Sequence, residues 1–192
     1  ETDSASVAKW GVTVDVAGDA TAITEYDGTA ETHVIANTGE KLAPGTAGQL
    51  LEVTIGGTPE VAVEVTYEAT VTLTGWEAAG AYYFPVEVLI DNVPVSIVTK
   101  EPIPNATIVI VDKDGNSDVD ADDAAKCIKE AIEACTQTYD AGAPLTDEEI
   151  VITWKWAYST SEANDAKDTE LGDAVTAPSI SIQLRVTVTQ VD

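Results

Sequence analysis

The chain has 192 residues, of which 34 are Asp or Glu and 9 are Lys or Arg, so its formal net charge is -25. Such a surface is repelled by nucleic-acid phosphates and by anionic lipid headgroups, which excludes nucleic acid as the expected partner. No apolar run approaches the roughly 20 residues that a membrane-spanning helix needs, so membrane insertion is not expected. Divalent cations are the natural counterions, although acidity also serves simply to keep a protein soluble.

The length suits one domain with a sizeable core and an insertion. The composition is 44% hydrophobic, and its many Thr and Val residues are typical of a folded β protein. No charged-then-apolar signal peptide is present at Glu1. We therefore expect either a cytoplasmic protein or a chain that starts at a processed N-terminus.

Strict alternation of apolar and polar residues recurs along the chain, as in strands with one face against a core. In chain order the predicted strands are 7–16, 32–36, 50–55, 61–73, 84–90, 107–111, 150–158 and 180–188. Turn signals rich in Gly, Asn, Asp and Pro separate them, at 26–28, 37–39, 56–59 and 91–94. Many short antiparallel strands predict an all-β fold, and we expect a jelly-roll-like antiparallel β-sandwich.

One stretch breaks the alternation. Apolar residues recur at three- and four-residue spacing from Ala124 to Tyr139, which predicts one inserted amphipathic helix over about 121–138. Carboxylates at its start, including Asp120, suit the free N–H groups and the dipole of a helix N-terminus. The predicted organisation is an N-terminal segment, 1–9, followed by a single β-sandwich domain, 10–192, with a helix-bearing insertion over about 112–145.

Both cysteines, Cys127 and Cys135, lie within this predicted helix. A rise of about 1.5 Å per residue holds them roughly 12 Å apart, which is beyond the reach of a disulfide. We expect free thiols that are half buried on the helix.

Catalytic motifs are missing from the sequence. Its single histidine, His33, lies on a predicted strand, and no His-Glu-x-x-His, Gly-x-Ser-x-Gly, Walker or Cys-x-x-Cys motif occurs. Zinc sites need clustered His or Cys ligands. Paired carboxylates are too abundant for a glycosidase pair to be singled out. We therefore interpret His33 as an ordinary strand residue and the protein as a non-enzyme that requires no cofactor.

The best candidate for a metal site is the acidic loop before the predicted helix, and calcium is the expected ion. Val119 stands at loop position eight, where EF-hand loops carry an aliphatic residue, but position six is Ser117 where those loops have glycine. No helix is predicted before the loop, so a solvated loop with a helix cap is the alternative. Oxygen-bearing side chains occupy positions one, three, five, seven, nine and twelve: Asp112, Asp114, Asn116, Asp118, Asp120 and Asp123.

Two further features have a functional and a structural interpretation. Asn105 begins an N-glycosylation sequon in a predicted loop, which matters only if the organism glycosylates its secreted proteins. Trp154 and Trp156 point to the same side of a strand, with Tyr158 beside them. A carbohydrate-binding platform is one interpretation of the tryptophans, and an aromatic core of the sandwich is the one we favour.

Six short motifs in order along the chain resemble the TasA and camelysin group of secreted biofilm-fibre proteins, which are made with a signal peptide for the SipW type of peptidase. Together they span nearly the whole chain, and they are 5–12, 42–46, 57–65, 152–158, 165–172 and 186–191. The resemblance implies an exported jelly-roll domain, located extracellularly at the cell surface or in a biofilm matrix. It also implies assembly with identical subunits into fibres in which one subunit's N-terminal segment completes the sheet of its neighbour.

The N-terminal segment shows a change of phase that suits this role. Ala5 and Val7 share one alternating face, whereas Ala8, Trp10 and Val12 share the other, and one flat strand cannot bury both sets against a single core. A frayed terminus is the alternative interpretation. With the resemblance we predict a donor strand made of Thr2, Asp3, Ser4, Ala5, Ser6 and Val7.

The sequence therefore predicts a structural subunit of an extracellular filament that polymerises by donor-strand addition. A monomeric calcium-binding cell-surface adhesin is the first alternative, and a secreted metallopeptidase is the second. Some members of the resembled group carry a metallopeptidase label, but this chain lacks the zinc motif for it.

Overall fold

The computed structural model of the chain describes residues 11–16, 19–23, 31–36, 42–93, 106–158 and 161–191. The two helices in these ranges are α1 (Ala121–Glu133) and α2 (Glu162–Gly172). The strands are β1 (Val12–Val16), β2 (Asp19–Ile23), β3 (Glu31–Ala36), β4 (Thr46–Gly57), β5 (Val63–Thr74), β6 (Glu77–Ala78), β7 (Ala81–Tyr82), β8 (Glu87–Val93), β9 (Ala106–Thr107), β10 (Gln137–Tyr139), β11 (Leu145–Trp156) and β12 (Ser179–Gln190).

These strands form two main sheets and one small hairpin. The larger sheet has six strands in the order β2-β1-β4-β11-β8-β9, the smaller has four in the order β10-β5-β12-β3, and β6 pairs with β7. Neighbouring strands are antiparallel throughout. From β2 to β5 the chain changes sheet at each connection, and it does so again from β9 to β12. The predicted antiparallel β-sandwich is confirmed.

The two sheets enclose one hydrophobic core, to which each contributes the inward face of its strands. In β12 the alternate residues from Ile180 to Val188 are at most 1% exposed, and in β11 Ile152 is fully buried. Trp154 and Trp156 belong to the same core cluster. The prediction that the tryptophans are core residues is confirmed, whereas Tyr158 lies beyond the end of β11 and is exposed.

The boundaries of several predicted strands are wrong, and β4 and β11 begin earlier than predicted, at Thr46 and Leu145. The strand predicted at 84–90 is β8, which begins at Glu87 and continues to Val93, so residues 91–93 pair with β11 and are not a turn. Cross-strand hydrogen bonds therefore outweigh the local turn signal of this Asp-Asn-Val-Pro sequence. The strand predicted at 107–111 is reduced to Ala106–Thr107, although the N–H of Ile108 still donates to the Val88 carbonyl at 2.9 Å.

The predicted helix is α1, but its C-terminal boundary at about 138 is wrong. The helix ends at Glu133, and the chain then forms β10, which pairs with Val63 to Val65 of β5. Tyr139 is buried as a residue of strand β10. Its spacing from the apolar residues of the helix therefore did not mean that it belongs to the helix. The free thiols of Cys127 and Cys135 are fully buried, where half-buried thiols were expected, and Cys135 lies just beyond the helix.

Helix α2 and the strands β2, β6 and β7 were not predicted. Helix α2 buries only Asp168 and Leu171, so it shows no apolar stripe that periodicity can detect. Its sequence signals are the N-cap Ser161, whose hydroxyl accepts the N–H of Asn164 at 3.3 Å, and the acidic first turn. Neither described helix is long and apolar enough to cross a membrane.

Candidate functional site

The loop between β9 and α1 is shaped by its own carboxylates. Asp112 Oδ1 accepts the N–H groups of Asp114 and Gly115 at 3.1 and 2.7 Å, and its Oδ2 accepts the N–H of Ser117 at 2.8 Å. These backbone hydrogen bonds, led by those from Gly115 and Ser117, hold the pKa of Asp112 below its usual value. The loop therefore curls around an ionised carboxylate.

The start of α1 brings a second carboxylate to the same place. Asp123 is only 1% exposed, and its Oδ1 accepts the N–H of Lys113 at 2.8 Å. Asp123 and the N-cap Asp120 also form a capping box, in which each side chain accepts the backbone N–H of the other. Backbone donors thus compensate the burial of this charge, and they fix its position relative to the loop.

Three predicted ligands meet at this point. Asp112, Asp114 and Asp123 each offer a carboxylate oxygen, and the three oxygens lie within 4.8 Å of one another. Calcium–oxygen distances of about 2.3–2.6 Å place ligands on opposite sides of one ion roughly 4.6–5.2 Å apart. The spacing therefore suits a shared hard divalent cation, for which oxygen ligands are the preferred chemistry.

The other predicted ligands have different roles in the structure. Asn116 donates from Nδ2 to Asp114 Oδ2 at 2.9 Å and accepts the N–H of Asp118 at 2.7 Å, so it braces one ligand of the cluster. Asp120 caps α1 through the N–H groups of Asp122 and Asp123. Among the acidic residues of the described loop, Asp118 and Asp120 lie outside the close group of three.

The backbone conformation of Ser117 compensates for one departure from the EF-hand pattern, the absence of glycine at loop position six. Its φ is 75°, a left-handed backbone conformation that glycine adopts most readily. EF-hand loops place an invariant glycine at this sixth position for a sharp turn. The loop therefore turns with positive φ at the expected position although its residue is serine.

The hydroxyl of Tyr82 lies near the acidic cluster. It is buried, and no hydrogen-bond partner for it is found among the described residues. Burial, and then the negative charges of Asp120 and Asp123, raise the pKa of Tyr82 above its ordinary value. The phenol therefore stays protonated beside the two carboxylates.

A second buried carboxylate, Asp168, ties α2 to the sandwich. Its Oδ1 accepts the Tyr83 hydroxyl at 2.9 Å and the Trp156 indole N–H at 3.3 Å. Lys167 lies 4.9 Å from the centre of the Tyr83 ring. Two donors satisfy this carboxylate, which indicates a structural role for a residue that sequence patterns did not single out.

The outer edge of β5 is only partly paired. On its inner side β5 pairs with β12 through all 12 of its residues, from Val63 to Thr74. On its outer side β10 pairs with Val63 to Val65, and no other described strand continues this pairing. Beyond Val65 the outer side of β5 is therefore left without a strand partner in the described part of the chain.

Helix α1 runs beside this open edge and leaves a groove of about 380 Å³ between helix and strand. Glu133 Oε1 accepts the N–H of Ala69 at 3.3 Å, which shows that the backbone of Ala69 faces the helix side. We call this feature the β5 groove, and its lining residues are Ala69, Thr70, Val71, Asp122, Ala125, Lys126 and Lys129.

Several predicted functional residues lie outside what the structure describes. The donor strand Thr2, Asp3, Ser4, Ala5, Ser6 and Val7 and the sequon at Asn105 are outside the described residues. His33 is on β3, within the described backbone, but its side chain is not described.

Comparisons of the chain with protein-family models, with curated proteins and with solved structures find no match in any of the three. The resemblance to the TasA and camelysin group therefore stays a prediction that rests on the six segments of sequence. Of these segments, 186–191 falls largely on β12, 165–172 on α2, and 152–158 on β11 and the residues after it.

The contact between Tyr83 and Asp168 should make stability depend on pH in alkaline solution. Burial, and then the hydrogen bond and charge of Asp168, raise the pKa of Tyr83 to about 12 from 10.0. The protonated phenol is thus favoured by folding, so its contribution is complete below pH 10 and is lost as the pH rises from 10 towards 12. Tyr83→Phe should lower the free energy of unfolding by about 1 kcal/mol at pH 8, because a hydrogen bond is removed.

Urea denaturation at pH 8, 10 and 11 measures this effect, and the difference between wild type and Tyr83→Phe should shrink as the pH rises. Tyr158→Phe is the matched control, since Tyr158 is 75% exposed and its change should stay within about 0.5 kcal/mol. A difference for Tyr83→Phe that is constant over this pH range would contradict the role of its hydroxyl.

Proposed function

We propose that the protein is a structural, non-enzymatic subunit of an extracellular filament, in which the N-terminal segment of one subunit adds a strand to the next. The observation that carries the proposal is the outer edge of β5, which lacks a strand partner beyond Val65 in the described part of the chain. An exposed strand edge presents N–H and C=O groups that a strand from another chain can pair with.

The sequence of the N-terminal segment supports the same proposal. Its hydrophobic phase changes between Val7 and Ala8, which suits a segment divided between two partners. The second phase continues as Val12 and Val14 of β1, whose side chains are buried in the home sandwich. The resemblance of the six segments to secreted biofilm-fibre proteins adds to this support, and it also underlies the proposed extracellular location.

We propose calcium binding at the loop before α1 as a second function, compatible with the first. The observation that favours it is the approach of the Asp112, Asp114 and Asp123 oxygens to within 4.8 Å of one another. Three clustered carboxylates repel one another unless a cation neutralises them, and oxygen is the ligand type that calcium prefers, with backbone carbonyls or waters completing its roughly six to eight ligands. Calcium would then join the loop to the first turn of α1, because Asp123 belongs to the helix.

The filament proposal predicts that purified wild-type protein forms filaments in negative-stain micrographs and that deletion of residues 1–7 abolishes them. The deleted protein should remain folded but elute as a monomer in size-exclusion chromatography with light scattering. It should also be less stable than subunits in the filament, because the acceptor edge keeps its unpaired backbone groups.

A point substitution separates strand addition from a general effect of the deletion. Ala5→Pro removes a backbone N–H from the donor strand and should block assembly, whereas Ala5→Ser keeps that N–H and should assemble. Normal filaments from the deletion variant, or from Ala5→Pro, would rule out the mechanism.

The calcium proposal predicts a rise in the melting temperature on addition of calcium, because a ligand that binds only the folded state stabilises it. At 100 times the Kd the gain is about 2.7 kcal/mol. Asp114→Ala should abolish the shift, while Asp140→Ala, which removes the same charge from an exposed residue outside the loop, should retain it. Calorimetry with no heat and no thermal shift at millimolar calcium would reject the site.

A further inference from the structure

The loop before α1 contains a dipeptide with a covalent chemistry of its own. Asn116 is followed by Ser117, and both residues are exposed. Asparagine is one of the thermolabile residues of proteins. When the next residue is small, its backbone nitrogen can reach the side-chain carbonyl carbon of the asparagine. The pair Asn116-Ser117 is therefore a candidate for spontaneous deamidation.

The reaction is a ring closure followed by hydrolysis. The backbone nitrogen of Ser117 forms a bond to Cγ of Asn116, the bond from Cγ to Nδ2 breaks, and the proton of the attacking nitrogen leaves with the departing ammonia. Water then opens the succinimide ring at either carbonyl, which gives aspartate or isoaspartate. Water is the only co-reactant, and it reaches the pair because both residues are exposed.

The attacking nitrogen is engaged by a carboxylate in the folded loop. The N–H of Ser117 donates to Oδ2 of Asp112 at 2.8 Å. A carboxylate that accepts an N–H stabilises the protonated nitrogen, and its negative charge opposes removal of that proton. Asp112 therefore keeps the Ser117 nitrogen from attacking the side chain of Asn116.

The side chain under attack is engaged as well. Oδ1 of Asn116 accepts the N–H of Asp118 at 2.7 Å, and its Nδ2 donates to Oδ2 of Asp114 at 2.9 Å. Ring closure requires the reacting atoms to approach in one orientation, so these hydrogen bonds must break before the carbonyl carbon meets the Ser117 nitrogen. An unfolded chain has neither restraint.

A second pair in the loop, Asp114-Gly115, uses the same ring closure but reacts more slowly in alkaline solution. The N–H of Gly115 also donates to Asp112, at 2.7 Å. Carboxylates are ordinarily ionised at pH 8, and an ionised carboxylate has no neutral leaving group to expel. The amide of Asn116 expels ammonia, so Asn116 is the reactive residue under these conditions.

We infer that Asn116 is a deamidation site and that Asp112 restrains the reaction by holding the N–H of Ser117. The inference is independent of the proposed filament. The product has a carboxylate where Asn116 has a donor group, so the hydrogen bond from Nδ2 to Asp114 is lost and a like charge takes its place. Deamidation therefore removes the brace of one ligand in the candidate cation site.

The test measures the deamidation rate of each asparagine by peptide mass mapping of full-length protein incubated at pH 8 with a chelator. Folded wild type should deamidate slowly at Asn116. Wild type unfolded in guanidinium chloride gives the unrestrained rate, which should be much faster. Asp112→Ala, kept folded, should raise the rate at Asn116 by about ten-fold or more, because a hydrogen bond to a charged group is lost.

Two controls accompany this measurement. Asp118→Ala removes the same charge from an exposed residue of the loop but leaves the contact between Asp112 and Ser117 in place, so it should deamidate like wild type. Asn164 in α2 is the control within the chain, since the N–H of the residue after it donates to the Ser161 carbonyl at 2.9 Å. Its rate should be equally low in every folded variant.

Four results would overturn the inference. Folded wild type that deamidates at Asn116 as fast as the unfolded chain would show that the loop exerts no restraint. A rate in Asp112→Ala as low as in wild type would exclude Asp112 as its source. Equal acceleration by Asp118→Ala would assign the effect to lost charge, and an equal rise at Asn164 would assign it to general unfolding.

Discussion

Strand β5 holds a position on which both the core and the proposed assembly depend. It pairs with β12 through all 12 of its residues, which makes this ladder the centre of the four-stranded sheet. Among the described strands its other side has only the short strand β10, so in this part of the chain β5 is an interior strand at one end and an edge strand at the other. Natural sandwiches usually cover or shorten such edges, because an open edge invites pairing with other chains. Here the helix α1 lies alongside and caps one N–H group, that of Ala69, through Glu133.

Helix α1 connects the two proposed functions. Its first turn supplies Asp123 to the carboxylate cluster, and its next turns supply Lys126 and Lys129 to the groove. The loop is also joined to the helix by Lys113, whose Nζ lies 2.6 Å from Glu130 Oε2. A net charge of -25 makes copies of the chain repel one another, so contacts in the proposed filament would have to rely on backbone pairing, on the few lysines or on bound cations. Helix α1 therefore carries two lysines and one carboxylate of the candidate cation site beside the outer edge of β5.

Sequence patterns correctly predicted the features that depend on local periodicity, namely the faces of strands and the start of a helix. The alternation in β5 and β12 gave their faces correctly because each strand has one dry side, and Asp120 marked the start of α1 because its side chain caps the helix. Periodicity failed to predict the secondary structure where tertiary contacts determine it. Tyr139 fitted the helical spacing but pairs in β10, and α2 buries a carboxylate in place of an apolar stripe.

The candidate sites were predictable to different degrees. Ligand spacing identified Asp112, Asp114 and Asp123, but only the fold shows that these three converge while Asp118 and Asp120 do not. The role of Asp168 depends on donors from Tyr83 and Trp156, which are distant in sequence. The β5 groove could not be predicted at all, because it arises from the shortness of β10 and the placement of α1, and neither has a signature in the sequence of β5.

Amide hydrogen exchange along β5 tests the central claim of strand addition most directly. Thr70 and Thr72 pair with β12 and should exchange slowly both in filaments and in the variant lacking residues 1–7. The Val71 and Leu73 amides face the open side, so they should exchange quickly in that variant and become protected in the filament. Equal exchange of Val71 and Leu73 in the two states would contradict the account.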